Sequence, residues 1–420
     1  MSTLSHPRTI GGAPRVAGAA QGMTLAVAGF LPVLSILSLA PAVPSILKHF
    51  AGVPHAETLV PLMVTAPGLM VALLAPFAGA LVDRYGRRRL ILLATFLYGF
   101  AGIAPYFLAN LPAMFASRLI VGATEAFVLV IVNTLFADYF TTDRRRTWIT
   151  VQGVSGPVLG TASIAAAGAF TLLAWNGAFL IYGIAFLVFL AMVATLYEPA
   201  VHDPVVSRVD RGPTGPTTDA AHAAPFPTAV VAKFSLVTFL SSLIYYVFIV
   251  QSGLAFEASG VASSGNLGIL IGVSSLGTPV GALLFNYISR RASGAVLIAS
   301  FLAFMGVGMI GMGLARTTTV MLIFGFIQQI GGGITVAGLI FWVSRLLPPQ
   351  HRGRGFGFWS SAFFAGQFAS PLLVGLVRQF TVGILGAFIA CGVLAIAGAL
   401  IVVLLQGALP RPIDTATDTH

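Results

Sequence analysis

One acidic residue, Glu125, lies deep within an apolar stretch of the chain, and Arg118 precedes it by seven residues. The other eleven of the twelve acidic residues fall in polar loops, in the tails or at the ends of apolar stretches. Seven residues advance an α-helix by about two turns, so both side chains would project from nearly the same face, roughly 10 Å apart along the axis. The spacing therefore favours an interaction through water or a bound molecule over direct contact.

The chemistry open to such a carboxyl group is the loading and release of a proton. A charge at the bilayer centre costs at least ~2.5–3.5 kcal/mol, which makes a deep ionisable residue a candidate for function. Burial favours the neutral carboxyl and a nearby guanidinium favours the charged one, so Glu125, with Arg118, is the best candidate for proton coupling. The alternative is that the two residues only neutralise each other and hold the helices together. No histidine lies within a predicted span, which excludes a histidine relay.

Uncharged polar side chains form a second group within the apolar stretches. They are Tyr245, Tyr246, Gln328, Gln329 and Gln367 near the middle of predicted spans, and Asn133, Gln152 and Gln251 nearer the ends. A buried amide without a partner is costly, so these side chains either face a wet cavity or bond to one another. For each one, bonding between helices explains its position as well as substrate contact does. As a set they favour a pocket for an uncharged, aromatic or cationic compound.

The elements that carry these residues must lie in a membrane. Hydrophobic residues make up 57% of the chain and charged residues only 8%, whereas an ordinary soluble domain is about 25% charged. About 20 apolar residues in a helix cross a hydrocarbon core of about 30 Å. Twelve spans are predicted, at 24–46, 59–82, 90–109, 112–136, 148–172, 176–197, 229–255, 265–287, 294–314, 317–344, 355–378 and 381–406.

The distribution of basic residues predicts the orientation. Eighteen Lys and Arg residues fall on the side of the amino terminus, against Lys48, Arg316 and Arg378 on the other side. This bias indicates that both termini are cytoplasmic, in a membrane of the bacterial cytoplasmic (inner) type. The predicted domains are a tail (1–23), a six-helix bundle (24–197), a linker rich in Pro, Asp, Arg and Thr (198–228), a second six-helix bundle (229–406) and a tail (407–420). Trp342 and Trp359 are predicted to anchor the tenth and eleventh spans at the membrane interface.

The loop between the second and third spans carries a specific motif, Gly79-Ala-Leu-Val-Asp83-Arg84-Tyr-Gly86-Arg87-Arg-Arg-Leu90. This loop resembles the corresponding loop of the major facilitator superfamily. The resemblance implies an all-α integral membrane fold of twelve transmembrane helices in two pseudo-symmetric six-helix bundles, with binding near the midplane between them. It also implies that Gly79, Asp83, Arg84, Gly86 and Arg87 act in conformational gating, with Asp83 and Arg87 holding the halves together in the outward-open state.

Two further motifs resemble the drug and metabolite proton antiporters of this superfamily. Arg118 with Gly122 is similar to the R-x-x-x-G motif of the fourth helix, and Gly156, Pro157 and Gly160 are similar to the core of the fifth-helix motif. Both matches are partial. The fifth and eighth helices of the superfamily meet between the halves, and both are rich in glycine here, as at Gly268, Gly272, Gly277 and Gly281. Sliding on that smooth contact is a further expectation.

The function favoured by these patterns is secondary transport by alternating access, with proton-coupled efflux of a small amphipathic drug or metabolite. The alternative is uptake of a small organic nutrient by proton symport or facilitated diffusion. A Cu(I) transporter is a weaker alternative, since Met305, Met309 and Met312 lie at helical spacing, and a membrane sensor without transport is another.

The expected partners are the substrate, protons and the lipid bilayer. The sequence indicates neither an enzyme nor a protein with a cofactor, a metal site or a nucleic-acid partner, and it favours a monomer. The single cysteine, Cys391, excludes a disulfide framework.

Overall fold

The computed structural model describes residues 17–199, 226–261, 263–290, 292–348, 351–407 and 410, and every regular element within these ranges is a helix. The first half contains α1 (Ala19–His49), α2 (Ala56–Tyr85), α3 (Arg87–Tyr106), α4 (Leu111–Tyr139), α5 (Thr142–Leu173) and α6 (Gly177–Thr195). The second half contains α7 (Thr228–Ala258), α8 (Ser264–Ile288), α9 (Gly294–Leu314), α10 (Thr318–Leu346), α11 (Arg352–Arg378) and α12 (Gly383–Leu404).

Eleven helices in the described residues are long and apolar enough to cross a membrane. The remaining one, α5, is a continuous helix of 32 residues, which is about 48 Å at 1.5 Å per residue. Its apolar stretch within the described residues is Val158–Leu173. The predicted all-α membrane fold is therefore confirmed.

The helix ends differ slightly from the predicted boundaries. Helix α1 begins at Ala19, inside the range predicted as a tail, and the Gln21 side chain caps it by accepting a hydrogen bond of 2.9 Å from the Gly18 N–H. Residues 200–225, most of the predicted linker, lie outside the described residues, as do residues 1–16 and 411–420 of the predicted tails.

Helix α1 is interrupted, and prolines explain the interruption. It consists of the α-helical segments Ala19–Ala28, Leu31–Leu37 and Val43–His49, with a 3-10 turn at Ala40–Ala42. Proline has no N–H to donate, so a proline inside a helix leaves the carbonyl group four residues earlier without its usual partner. Pro32, Pro41 and Pro44 therefore remove three donors from this helix. The carbonyl groups of Ala28, Leu37 and Ala40 therefore lose their usual helical donors.

The halves approach closely in one part of the molecule. We call the end of the bundle where α2 ends and α3 begins, at Arg84 to Arg89, the arginine face, and the other end the opposite face. Near the opposite face a Cβ on Gly375 in α11 would lie 2.9 Å from Thr58 Oγ1 in α2, and a Cβ on Gly68 in α2 would lie 3.0 Å from the Phe364 carbonyl oxygen. Small residues permit such approach of helices in lipid. Helices α2 and α11 are thus packed together from mid-helix to the opposite face.

The same two helices separate toward the arginine face. Gly79 lies eleven residues, or about three turns, after Gly68, and Gly357 lies eighteen residues, or about five turns, before Gly375, so each pair shares a helix face. Within the described part of the chain, no atom of another element lies within 4 Å of the Cβ position at Gly79 or Gly357. The gap between α2 and α11 therefore widens toward the arginine face.

Two ion pairs join the halves on the opposite face. Lys48 at the end of α1 pairs with Glu257 of α7, and Arg378 Nη2 at the end of α11 lies 2.6 Å from Glu57 Oε2 of α2. Nearby, Gly253 of α7 packs directly on the Ala40 carbonyl group of α1. The opposite face is therefore closed by both charge and backbone contact.

The predicted glycine contact between α5 and α8 is partly correct. A Cβ on Gly268 would lie 3.0 Å from the Ile164 carbonyl oxygen, and Gly272 faces Thr161. Gly277 and Gly281 instead pack on α10, inside the second half. These glycines point to a different side of α8, because the helix turns by 100° per residue.

Candidate functional site

Arg118 and Glu125 are both buried in the first half. Their exposed fractions are 0% and 1%, respectively. The two side chains form no ion pair within 4.0 Å, as their separation of two helical turns predicted. Arg118 Nε and Nη1 and Glu125 Oε1 have no hydrogen-bond partner. Buried, partly unsatisfied charges of this kind are costly, which makes the pair a candidate for function rather than for stability.

The interrupted helix α1 supplies the main contact of Arg118. Arg118 Nη2 donates to the Ser35 carbonyl oxygen at 3.0 Å, and the Tyr182 hydroxyl donates to the same oxygen at 2.7 Å. The guanidinium also lies 4.9 Å from the centre of the Tyr182 ring, in a cation–π contact. The Ser35 carbonyl is near the end of the segment Leu31–Leu37, where the regular helix stops. The break in α1 thus provides the acceptor that holds Arg118.

Glu125 has neighbours from both halves. The Ser35 side chain and Arg118 lie within electrostatic reach of the carboxyl group. So does Tyr246 of α7, which belongs to the second half. The ring of Tyr246 contacts that of Tyr245 edge-to-face, with centroids 4.9 Å apart. Glu125 therefore interacts electrostatically with Tyr246 of the second half, whose ring contacts Tyr245.

A cavity of about 270 Å³ lies between the halves near mid-helix. Helices α1 and α5 form its wall in the first half, and α7, α8 and α10 form its wall in the second half. It is lined by Gly29, Phe30, Val33, Leu37, Gln152, Gly156, Gly160, Thr161, Ile164, Tyr245, Ile249, Ser275, Thr278 and Gln329. Glu125 is buried and is not among these residues, so in this conformation the carboxyl group does not line the cavity.

The structure brings only part of the predicted polar set into the cavity. Tyr245 and Gln329 line it, and Gln329 Nε2 donates to Ser275 Oγ at 3.3 Å. Gln328 is fully buried where α10 packs on Gly308 of α9, and neither of its amide atoms has a hydrogen-bond partner.

The other predicted polar residues lie elsewhere. Gln367 is buried between α11 and Gly68 of α2. Tyr246 lies behind Tyr245 and is within reach of Glu125. Asn133 is exposed and donates to the Leu129 carbonyl of its own helix at 2.7 Å. The cavity is therefore lined by fewer of these polar side chains than the sequence predicted.

The structure gives Gln152 and the two tryptophans, Trp342 and Trp359, surroundings that the sequence did not predict. Gln152, which lies away from the middle of its predicted span, lines the cavity, and Gly29 leaves the space that its amide group occupies. Trp359 stacks on Phe363, 5.4 Å away, in an aromatic cluster that includes Tyr246. The prediction of interface anchoring is wrong for Trp342, which is buried against Gly294. The apolar neighbourhood of an aromatic residue looks the same in sequence whether lipid or protein surrounds it.

The motif loop holds α3, α4 and α6 together in the first half. Gly86 has φ of 87°, a left-handed conformation that favours glycine. The Glu198 carboxylate accepts hydrogen bonds from the backbone N–H groups of Arg87 and Arg88, at 2.7 and 2.8 Å, at the N-terminus of α3. A carboxylate is stabilised there by the helix dipole. Arg87 also pairs with Asp138 of α4.

The remaining predicted gating residues have varied surroundings. Arg84 is exposed and lies over the Tyr85 ring, 5.5 Å from its centre. Gly79 and Gly156 face open space, and Gly160 packs on Leu37 of α1. The side chains of Asp83 and Pro157 lie outside the described part of the structure. Their roles in gating stay predictions.

The methionines considered as metal ligands are part of the packed core. Met305, Met309 and Met312 are each fully buried, and Met305 contacts Gly331 of α10. Within the described residues, no group of three or more His, Cys, Asp or Glu side chains is arranged to hold a metal ion. Methionine at such positions fills space in a hydrophobic core.

Two six-helix halves, a cavity between them, one closed face and one splayed face define a membrane transport protein rather than an enzyme. A sequence profile of the Major Facilitator Superfamily matches residues 25–265 and 234–419. The chain therefore belongs to the major facilitator superfamily, as the motif loop predicted.

Known proteins agree with this assignment. The chain is 22% identical over 412 residues to the putative metabolite transport protein YyaJ of Bacillus subtilis, covering 89% of this chain and 90% of that protein. It is 28% identical over 142 residues to the class E tetracycline resistance protein of Escherichia coli, covering 31% of this chain and 34% of that protein. The inward-open structure of the xylose transporter XylE from E. coli has a TM-score of 0.72 at 15% identity, covering 94% of this chain and 97% of that one.

Proposed function

We propose that the protein exports a small amphipathic organic compound in exchange for protons, by alternating access of a central cavity. The observation that carries this proposal is Glu125, a fully buried carboxyl group without an ion pair, held between the first half and Tyr246 of the second. An ionisable group in the membrane interior is a candidate for a proton pathway.

The arrangement described above is one end of the proposed cycle. Its gap between α2 and α11 widens toward the arginine face, which the basic residues predict to be cytoplasmic. Substrate would enter the cavity from that side. Opening of the Lys48–Glu257 and Glu57–Arg378 pairs, with closure of α2 on α11, would then expose the cavity at the opposite face. We propose that the chain performs this cycle as a monomer with both termini in the cytoplasm of a bacterial-type cell.

The proton step follows from the surroundings of Glu125. A buried carboxylate that lacks a direct ion pair is costly, so we propose that the conformation open at the arginine face favours the protonated carboxyl. The chain from Glu125 through Tyr246 to Tyr245 ends in the wall of the cavity. We propose that substrate binding at Tyr245 moves this tyrosine pair, admits water to Glu125 and releases the proton. Arg118 would then stabilise the carboxylate.

The direction of transport rests on motifs and relatives. The fifth-helix residues Gly156 and Gly160 line the cavity, and the matched part of the tetracycline resistance protein supports export. The second candidate is uptake of an organic nutrient by proton symport or facilitated diffusion. The putative metabolite transport protein, which matches over 412 residues, is compatible with both directions.

The test is transport in proteoliposomes with an imposed pH gradient. A thermal-shift screen of the purified protein against antibiotics, dyes, sugars and aromatic acids supplies the transported compound. We expect wild-type protein to accumulate that compound in the acidic compartment, against its gradient. Glu125→Gln should abolish accumulation but keep substrate exchange across the membrane at equal pH, because the neutral side chain still permits the conformational change.

The matched control is Asp143→Asn, which removes an exposed carboxyl group in the first turn of α5. It should transport like the wild type. Accumulation by Glu125→Gln at the wild-type level would rule out Glu125 as the proton carrier. Accumulation in the alkaline compartment would favour symport over export.

A further inference from the structure

We propose that the central cavity selects an uncharged compound that carries an amide-like donor and acceptor on a small apolar body. The inference rests on the proposed function, because it takes this cavity as the substrate site of the transporter. It narrows the substrate from the uncharged, aromatic or cationic compounds that the sequence favoured.

Charge selection follows from the residues that line the cavity. Among the described lining residues there is no Asp, Glu, Lys, Arg or His. The two buried ionisable residues, Arg118 and Glu125, are not part of its wall. An ion moved from water into such a site would have no counter-ion, and the cost of that transfer exceeds what a few neutral hydrogen bonds return. A cation or an anion is therefore excluded by the same wall.

Hydrogen-bonding selection follows from two amide groups on opposite walls. Gln152 of α5 belongs to the first half, and its amide makes no hydrogen bond to the described part of the chain. Gln329 of α10 belongs to the second half and uses only one N–H, in a long bond to Ser275. Each amide offers a donor and an acceptor side by side. A compound with the complementary pair of groups would connect the two halves.

Size and apolar contacts complete the description. A volume of about 270 Å³ holds roughly nine water molecules at ~30 Å³ each, which is small for a ligand site. The Phe30 and Tyr245 rings and the aliphatic side chain of Ile249 supply the apolar walls. An aromatic carboxamide combines the required size, neutrality and hydrogen-bonding edge.

Three probes of nearly the same shape test the inference: benzamide, which is neutral, benzoate, which is an anion, and benzamidinium, which is a cation. Equilibrium dialysis of the purified full-length protein with labelled benzamide measures binding without any pH gradient. We expect saturable binding of benzamide and at least ~10-fold weaker competition by benzoate and by benzamidinium, because neither ion finds a counter-charge. Wild-type protein that binds either ion as tightly as benzamide, or shows no saturable benzamide binding, would overturn the inference.

A variant that gains affinity for a charged probe distinguishes a change in substrate selectivity from a loss of folded protein. Gln329→Glu and Gln152→Glu each place a carboxylate in the cavity wall, so each should improve benzamidinium binding at least ~10-fold and weaken benzamide binding. Gln406→Glu makes the same change at the exposed end of α12 and should leave all three affinities unchanged. An unchanged preference in both cavity variants would also contradict the proposal. Because these measurements need no transport, they can fail while proton-coupled export holds, and the reverse is equally possible.

Discussion

At the scale of single residues, the Ser35 carbonyl oxygen connects the buried charges to the fold. It accepts hydrogen bonds from both Arg118 and Tyr182, and Tyr98 donates in the same way to the Leu31 carbonyl at 2.6 Å. All three donors come from other helices and all three end on α1. A movement of α1 would therefore change the surroundings of Arg118 directly, and those of Glu125 through Ser35.

Gly122 lies where α4 packs closely on the backbone of α2. A methyl group there would overlap the backbone of Pro67 in α2, and backbone atoms cannot move aside at low cost. We expect Gly122→Ala to destabilise the protein by about 1–3 kcal/mol or more, measured as a loss of thermal stability and of folded yield. Gly156→Ala is the matched control, because no atom of another element lies within 4 Å of its Cβ position. Equal stability of the two variants would contradict the α2–α4 contact.

For single residues, the sequence predicted how deep a polar side chain lies in the membrane. It did not predict which neighbour the side chain faces. Glu125 and Arg118 were identifiable because a buried charge is costly wherever it points. Gln328 and Gln329 are adjacent and equally deep, yet Gln328 packs on α9 and Gln329 lines the cavity. One residue rotates a helix position by 100°, and no apolar periodicity distinguishes a lipid-facing side from a protein-facing side here. For the same reason, the sequence did not single out Gln152 as a residue of the cavity wall.

At the scale of elements, the two ion pairs at the opposite face set the balance between conformations. Lys48–Glu257 joins α1 to α7 and is partly exposed. Exposed pairs contribute about 0.2–1 kcal/mol, which corresponds to a change of up to about fivefold in a two-state population. In the proposed cycle, pairs of this strength would favour the closed state and would still be broken at low cost.

Charge reversal tests that balance. A cysteine introduced by Thr58→Cys lies under Gly375 when the opposite face is closed, and Cys391 is buried. We expect Lys48→Glu to raise the labelling rate of this cysteine by up to about fivefold, and the double variant Lys48→Glu with Glu257→Lys to restore the original rate. Arg316→Glu, an exposed charge on the same face, should have no effect. A labelling rate that Lys48→Glu leaves unchanged would contradict the claim that the Lys48–Glu257 pair helps to close the opposite face.

The number and position of the helices were more predictable than the interruptions within them and the helices they pack against. Helix number and position follow from hydropathy, because lipid requires every backbone group to be bonded within the segment. The side-chain contacts of α1 could not be predicted from its prolines, because the Leu31 and Ser35 carbonyl groups that accept from Tyr98, Arg118 and Tyr182 are not the carbonyls four residues before a proline. The roles of Gly277 and Gly281 were misassigned because spacing alone does not name the partner helix.

At the scale of the whole molecule, the halves are in closer contact at one face than at the other. They are in contact at the opposite face, through Gly68, Gly375 and the ion pairs, and separate toward the arginine face, as Gly79 and Gly357 indicate. Glu125 is buried in the first half, with Tyr246 of the second half within electrostatic reach. A proton at this point can therefore favour one tilt of the halves over the other.

The central claim is that the charge of Glu125 sets this tilt. Spin labels at Tyr85→Cys, at the end of α2, and Gly353→Cys, at the start of α11, both exposed, report the width of the arginine face by double electron–electron resonance. In wild-type protein we expect the wide population to grow as pH falls from about 8 to about 5, because protonation removes the buried charge. Glu125→Gln should show the wide population at every pH. The same pH-dependent narrowing in Glu125→Gln as in the wild type would contradict the account.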